Sequence, residues 1–178
     1  RTKRDGENYI PTDQLYVLSP DGQPINFKKA RRFTRSEMMV MEMLSTNEWK
    51  RPMYFATTIG SDYHLGLDPY LELTGMAYRI TPTRSADGRP RVNTEVMYDN
   101  MMNKFRYGNV NKPGIYLDEN TLRMCRTHRM MFSELAEALY EEGEHDKAIA
   151  VLDYAEEMLP GYNVSYDYTS ASMAALYY

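Results

Sequence analysis

The chain has 178 residues, of which 43% are hydrophobic and 26% are charged, a composition that excludes a disordered protein. No apolar run approaches the roughly 18 residues of a membrane-spanning helix, so the sequence predicts no such helix. The single cysteine, Cys125, excludes an internal disulfide framework. A net charge of −4, without a zinc-finger or RNA-binding pattern, argues against a nucleic-acid partner.

The first predicted elements are two short strands joined by a turn. Apolar residues at 15–18 and 25–27 flank Ser19-Pro20-Asp21-Gly22, which is a typical β-turn sequence. Five positive charges then fall within eight residues: Lys28, Lys29, Arg31, Arg32 and Arg35. We predict that this basic segment faces an anionic membrane surface, although a solvated basic turn would have the same composition.

A helix is predicted next, because Thr34 and Glu37 have the spacing of a capping box. It should run to about residue 46 and bury Met38, Met41 and Leu44, which lie three residues apart.

The central part of the chain predicts two further strands. Residues 53–59 and 76–81 are rich in aromatic and β-branched residues and are bounded by Gly or Pro. A short helix or turn is expected over 70–73, so that the two strands could pair in parallel. A helix over 95–105 follows.

From residue 120 onward the apolar residues recur with a helical period. We predict a long helix, a second helix over 146–158 and a third from about residue 165. The spacing is that of a tetratricopeptide repeat, with these residues at its positions: Phe132, Leu135, Ala136, Leu139, Ala148, Leu152 and Pro160. An ordinary helical hairpin is the alternative.

The pattern predicts that a second repeat starts in the last residues of the sequence. Its small and large positions are taken either by Ala174 and Tyr177 or, in a strict 34-residue repeat, by Ser170 and Met173. We expect the tyrosines of residues 162–178 to be core residues of this second unit. The chain begins with Arg1 and stops within this pattern, so we expect it to be a piece of a longer protein.

The charge distribution divides the chain in two. Residues 1–110 hold 16 basic and 13 acidic residues, whereas residues 111–178 hold 5 and 12. We therefore predict an α+β protein with a small mixed α/β region over 1–110 and a tetratricopeptide-like helical region over 111–178.

No catalytic or metal-binding motif is present. His64, His128 and His145 are isolated from one another, and neither a GxSxG nor a phosphate-binding glycine pattern occurs. We predict no catalytic residue, metal or cofactor, and a buried Cys125. A carboxylate pair for glycoside hydrolysis could be assembled from Asp62, Asp68 and Glu72, but this is a weak signal, since any chain with 25 acids would offer such a pair.

Aromatic and basic residues do gather around the two central strands. They are Trp49, Lys50, Arg51, Tyr54, Tyr63, His64, Tyr70, Tyr78 and Arg79. Aromatic rings beside Arg suit the recognition of a sugar or a peptide. The same residues could instead close a small core, with Arg51 and Arg79 paired to acids such as Asp62.

Four stretches of the sequence resemble a family of large bacterial membrane proteins that are similar to transmembrane protein O-mannosyltransferases. The stretches are NEWKRPMYFA (47–56), YHLGL (63–67), GMAYRITP (75–82) and YLDEN (116–120). In that family, a multi-span glycosyltransferase-like membrane region is followed by a soluble tail with tetratricopeptide-like helices. The resemblance implies that this chain is such a tail, on the periplasmic face of a bacterial membrane and tethered by the rest of the parent protein.

The resemblance carries over no catalytic residue, since the catalytic acid of such enzymes is expected in the membrane region. We therefore expect a non-catalytic domain that binds or positions a protein or glycan acceptor, or a partner protein, for a glycosyltransferase-like parent. Two alternatives remain open: a free-standing carbohydrate-processing enzyme that uses the loop carboxylates, and a pure protein-interaction scaffold.

The basic segment gives a testable prediction. Charge reversal at Lys28, Arg31 and Arg32 should abolish co-sedimentation of the chain with anionic liposomes, because a polybasic segment binds anionic lipid through its positive charges. Unchanged binding by the charge-reversed variant would contradict the membrane-facing role.

Overall fold

The computed structural model describes residues 15–28 and 33–177 and has an α+β fold, as predicted. Its strands are β1 (Tyr16–Leu18), β2 (Pro24–Asn26), β3 (Tyr54–Ala56), β4 (Leu71–Leu73), β5 (Ala77–Ile80) and β6 (Arg91–Val92). Its α-helices are α1 (Arg35–Asn47), α2 (Thr94–Tyr98), α3 (Glu119–Glu141), α4 (His145–Met158) and α5 (Tyr168–Ala175). A π-helical segment, Asp99–Lys104, follows α2 directly.

The described residues form two compact units. The first unit comprises residues 15–71 and 79–90, and the second, which we call the helical unit, comprises residues 72–78 and 91–177. The chain passes from one unit to the other within β4 and within β5.

The strands form two sheets. β1 and β2 pair antiparallel around the predicted turn, and Val17 and Ile25 are opposite each other and buried. The second sheet has the order β3-β5-β4-β6, in which β4 and β6 are parallel. The helix or turn predicted over 70–73 is wrong, because only a 3₁₀ turn at Asp68–Tyr70 precedes β4, all of whose side chains are buried.

Helix α1 begins with the predicted capping box. The Thr34 backbone N–H donates to Oε2 of Glu37 (2.6 Å), and the Glu37 backbone N–H donates to Oγ1 of Thr34 (3.4 Å). The predicted burial of Met41 and Leu44 is confirmed, but that of Met38 is wrong, since this side chain is 47% exposed. The buried residues Glu37, Met41 and Leu44 are spaced by four and then three, so the buried stripe passes beside Met38.

In the helical unit, α3 and α4 form a hairpin that turns at Gly143, whose φ of 81° favours glycine. The residues at the predicted repeat positions are buried between the helices: Phe132, Leu135, Ala136, Leu139, Ala148 and Leu152. Small side chains at Ala136, Ala148 and Ala155 let the helix backbones approach each other. Leu73, Met97 and Met101 belong to the same core.

Arg129 of α3 holds the segment between α4 and α5. Its side chain is 3% exposed. Its Nη1 donates to the carbonyl oxygen of Ser165 (2.9 Å), and its Nη2 donates to the carbonyl oxygens of Leu159 and Val164 (2.7 Å each). One side chain thus satisfies three carbonyl groups that lie between the two helices, and it fixes where α5 begins.

Replacing Arg129 should therefore destabilise the fold. We expect Arg129→Met to lower the free energy of unfolding by about 3 to 5 kcal/mol, because it leaves three carbonyl groups without their donor. Urea denaturation measures this change, and Arg126→Met is the control, since Arg126 is exposed on the same helix. Equal stability of the two variants would contradict the role given to Arg129.

Candidate functional site

The predicted aromatic and basic residues of the first unit do not converge on one place. Trp49 lies in a depression of about 380 Å³ beside β1, where its indole Nε1 donates to the carbonyl oxygen of Leu18 (2.7 Å). Tyr63 lines a depression of about 350 Å³ with Phe55, and Tyr70 lines one of about 550 Å³. These three rings therefore face three different depressions.

The other members of the predicted set have local roles. Lys50 pairs with Glu48 (2.5 Å), and Asn47 holds the backbone of Arg51 through two hydrogen bonds. His64 is buried, stacks on Phe55 with ring centroids 5.3 Å apart, and has its Nδ1 2.9 Å from Oδ1 of Asp68.

Tyr54 and Arg79 are exposed, whereas Tyr78 is half-buried against the core of the helical unit. No ion pair of Arg51 or Arg79 with a described acid occurs. The binding role of the set stays a prediction. Of the basic segment, Lys28 and Arg35 are exposed, and Lys29, Arg31 and Arg32 lie outside the described residues.

Two of the three carboxylates considered for hydrolysis are engaged in separate contacts, and the third, Asp62, is exposed. Asp68 bonds His64, while Glu72 pairs with Arg91 (3.0 Å) in the helical unit. Residues 15–28 and 33–177 contain no group of three or more His, Cys, Asp or Glu side chains that could hold a metal ion. Cys125 is buried, as predicted, and burial raises the pKa of its thiol.

A further candidate site is a groove of about 450 Å³ within the helical unit, between α4 and α5. Its floor is apolar and is made by Leu152, Ala155 and Met173, which are buried. Two exposed small residues of α5, Ala171 and Ala174, leave the groove open along one wall. An open apolar groove of this kind suits the insertion of an apolar side chain.

The start of α5 fixes one end of this groove. Asp167 is the N-cap, and its Oδ1 accepts from the backbone N–H of Ser170 (3.2 Å), while the Ser170 hydroxyl accepts from the backbone N–H of Asp167 (3.3 Å). This reciprocal capping and the Arg129 contacts together set the position of the helix.

Tyr166, Tyr177 and Glu156 line the rim, and each tyrosine hydroxyl is bonded to a carboxylate. The Tyr166 hydroxyl donates to Oε1 of Glu156 (2.6 Å), and the Tyr177 hydroxyl donates to Oδ1 of Asp153 (2.8 Å). The hydrogen bond to Glu156 raises the pKa of Tyr166, and burial together with the bond to Asp153 raises the pKa of Tyr177 to about 12. Both hydroxyls therefore stay protonated at neutral pH and hold the two carboxylates in place.

The expectation that the C-terminal tyrosines are core residues is wrong. Tyr162, Tyr166, Tyr168 and Tyr177 are all exposed. The buried residues of α5 are instead Thr169 and Met173, which lie 34 residues after Leu135 and Leu139. Tyrosine keeps a polar tip that seeks water or a partner, so at the edge of a helix pair it lines the rim.

The groove itself was missed by the sequence reasoning, although a signal for it exists. In the strict 34-residue register, which takes Ser170 and Met173, Tyr177 corresponds to Gly143 at the turn of the hairpin. That register predicts an exposed Tyr177, but it places Tyr166 at the core position of Phe132, so it predicts only part of the rim.

With this geometry established, comparison with known proteins identifies the family. A model of the family TMEM260-associated domain 2 matches residues 6–100, more than half of the chain. The chain belongs to this family. Comparison with curated proteins and with solved structures found no match.

The TMEM260-associated domain indicates that this chain is an accessory domain of a membrane protein. Within the part of the chain that the structure describes, no helix is both long and apolar enough to cross a membrane. The matched range ends at residue 100, so α3, α4 and α5 lie beyond it.

The tyrosine rim gives a prediction for the dependence of stability on pH. In the folded protein the pKa of Tyr177 is about 12, whereas the ordinary pKa of a tyrosine side chain is 10.0. Because the unfolded chain releases this proton first, stability should fall as the pH rises from about 10 to about 12.

In Tyr177→Phe, that fall should be smaller, which thermal unfolding at a series of pH values measures. Tyr116→Phe is the control, since Tyr116 is almost fully exposed. The same pH dependence in wild type and Tyr177→Phe would show that Tyr177 is not held in this way.

Proposed function

We propose that this chain is a non-catalytic accessory domain of a membrane protein and that its groove binds a segment of another protein. The segment belongs to an acceptor or partner of the parent protein. The observation that carries the proposal is the groove between α4 and α5, in which an open apolar floor is bordered by tyrosines and carboxylates. Tyrosine-rich rims around apolar pockets are common in protein recognition, because the ring gives contact area at a small entropic cost.

The helical arrangement supports a repeat that presents a binding groove. The hairpin of α3 and α4 buries the small and large residues at the spacing of a tetratricopeptide unit. Thr169 and Met173 then occupy, one repeat of 34 residues later, the positions of Leu135 and Leu139. Solenoid repeats of this type use the surfaces between stacked helices to bind other proteins.

The parent protein is, in this proposal, a glycosyltransferase-like membrane protein, and the chain lies at the periplasmic face of a bacterial membrane. The sequence resemblance to transmembrane O-mannosyltransferase-like proteins supports this part, and membership of the TMEM260-associated family agrees with attachment to a membrane protein. Acceptor positioning would raise the local concentration of acceptor near the membrane enzyme, without chemistry in this chain.

The alternative of a carbohydrate-processing enzyme finds less support. In a glycosidase, one carboxyl group donates a proton to the leaving group and the other acts as nucleophile or base on the same bond, so the two must flank one site. Here Asp68 is bonded to His64 and Glu72 is paired with Arg91.

Site-specific photo-crosslinking in the full-length parent protein, in its native membrane, tests the proposal. A benzophenone amino acid at Ala174, which is exposed on the groove wall, should form adducts with one defined protein segment. Ala150 is the control position, since it is exposed on α4 but does not line the groove.

Filling the groove gives the second arm of this experiment. Ala171→Trp should abolish the adducts formed from position 174, because the indole would occupy the space of the bound side chain, while circular dichroism confirms that the chain is folded. Adducts that are equal at positions 174 and 150, or that persist when the groove is filled, would contradict the proposal.

A further inference from the structure

We infer that the segment bound in the groove carries an apolar or aromatic anchor residue flanked by lysine or arginine. This inference rests on the proposed function and names the chemistry of its partner. The apolar floor recognises the anchor, and two carboxylates recognise the positive charges: that of Glu156, which lines the groove, and that of Asp153, which is bonded to the lining residue Tyr177.

The two carboxylates are placed to act together. Asp153 and Glu156 are three residues apart on α4, and residues at that spacing are neighbours on one helix face, with Cβ atoms about 5–6 Å apart. The hydroxyl of Tyr177 bonds Asp153, and Glu156 also lowers the tendency of that hydroxyl to ionise, as its contribution to the raised Tyr177 pKa shows. Glu156 therefore lines the groove, and Asp153 lies on the same face of α4, one hydrogen bond away from the lining residue Tyr177.

Each carboxylate keeps capacity for a ligand. The tyrosine hydroxyls bind Oδ1 of Asp153 and Oε1 of Glu156, and the latter oxygen also accepts a long bond from the backbone N–H of Gly161 (3.4 Å). An ionised carboxylate has about four acceptor sites, so the second oxygen of each can accept from an ammonium or guanidinium group. The tyrosines hold the carboxylates in a fixed orientation, which lowers the entropic cost of binding.

No lysine or arginine among the described residues forms an ion pair with these two carboxylates. The basic residues of segment 111–178 are Lys112, Arg123, Arg126, Arg129 and Lys147. Arg129 serves three backbone carbonyl groups, and Lys147 pairs with Glu144 (3.1 Å). Among the described residues, no ion pair reaches Asp153 or Glu156.

The net negative charge of residues 111–178 also favours a basic partner. Residues 111–178 hold 12 acidic and 5 basic residues, so the groove lies in a region of negative potential. Such a potential favours the approach of a basic segment and disfavours an acidic one, while burial of the anchor supplies most of the affinity. A basic segment with one apolar anchor is the occupant that satisfies both the floor and the rim.

Fluorescence anisotropy with the purified chain tests the inference. The probe is a labelled ten-residue peptide that has one phenylalanine between two pairs of arginines. Three matched peptides replace the arginines with glutamine, the arginines with glutamate, or the phenylalanine with serine. We expect the basic peptide to bind about tenfold more tightly than the glutamine peptide at low salt, with the difference shrinking as salt is raised.

Charge-neutral variants show whether the rim causes that preference. In Asp153→Asn combined with Glu156→Gln, the amide oxygens still accept from the tyrosine hydroxyls, so the shape of the groove is kept. The basic peptide should bind about threefold to tenfold more weakly to this double variant, and the glutamine peptide should bind as before. Glu141→Gln, an exposed acid of α3 outside the groove, is the control and should change neither affinity.

The outcomes separate this inference from the proposed function. If the double variant binds the basic peptide as wild type does, while Ala171→Trp abolishes peptide binding, the charge preference is overturned and the groove remains the binding site. If no peptide binds but groove-dependent adducts form in the crosslinking experiment, the stated partner chemistry is overturned and the proposed function stands.

If peptide binding is unaffected by Ala171→Trp and the adducts do not depend on the groove, both the inferred partner chemistry and the proposed function are overturned. Sedimentation of the purified chain decides one further case. Self-association that Ala171→Trp abolishes would show that a second copy covers the groove, and it would overturn the assignment to a basic partner segment.

Discussion

The helical unit depends on one buried cation. Removing the Arg129 guanidinium from water is costly, and the cost is offset because the group donates to three carbonyl oxygens that would otherwise lack a partner. Those carbonyls belong to Leu159 at the end of α4 and to Val164 and Ser165 before α5, so the arginine decides how the chain turns from one helix to the next. The width of the groove between α4 and α5 follows from that turn.

The same contact also decides the electrostatics of the groove. Arg129 lines it, and because the carbonyls that it binds are neutral, its guanidinium keeps its positive charge, 5.6 Å from the centre of the Tyr166 ring. Tyr166 in turn donates to Glu156. The groove therefore combines the buried cation of Arg129 with the exposed carboxylates of Glu156, which lines it, and of Asp153, which is bonded to Tyr177. The same side chains thus shape the groove and determine the partner chemistry that we propose for it.

Local patterns in the sequence were sufficient to predict much of the fold. The capping box of Thr34 and Glu37, the turn at Ser19-Pro20-Asp21-Gly22 and the α3–α4 hairpin are each set by residues close in sequence. The exposure of individual side chains was harder to predict, because it depends on what packs against each of them in the folded protein. Met38 lies beside the buried stripe, and tyrosines such as Tyr166 line a rim that exists only after Arg129 has fixed the turn. The strand β5 shows the same limit of local reasoning, since Tyr78 and Arg79 are adjacent in sequence and belong to different units.

The family match and the groove are linked through a shared core. The matched range ends at residue 100, but Leu73 and Met97, which lie inside it, are buried with Phe132 and Leu135 of α3 in a single hydrophobic cluster. Without these two residues, the α3–α4 hairpin would expose part of its apolar face to water, at a cost of about 25 cal/mol for each Å² uncovered. The helical hairpin is therefore completed by the TMEM260-associated domain, and a groove that depends on the hairpin depends on that domain as well.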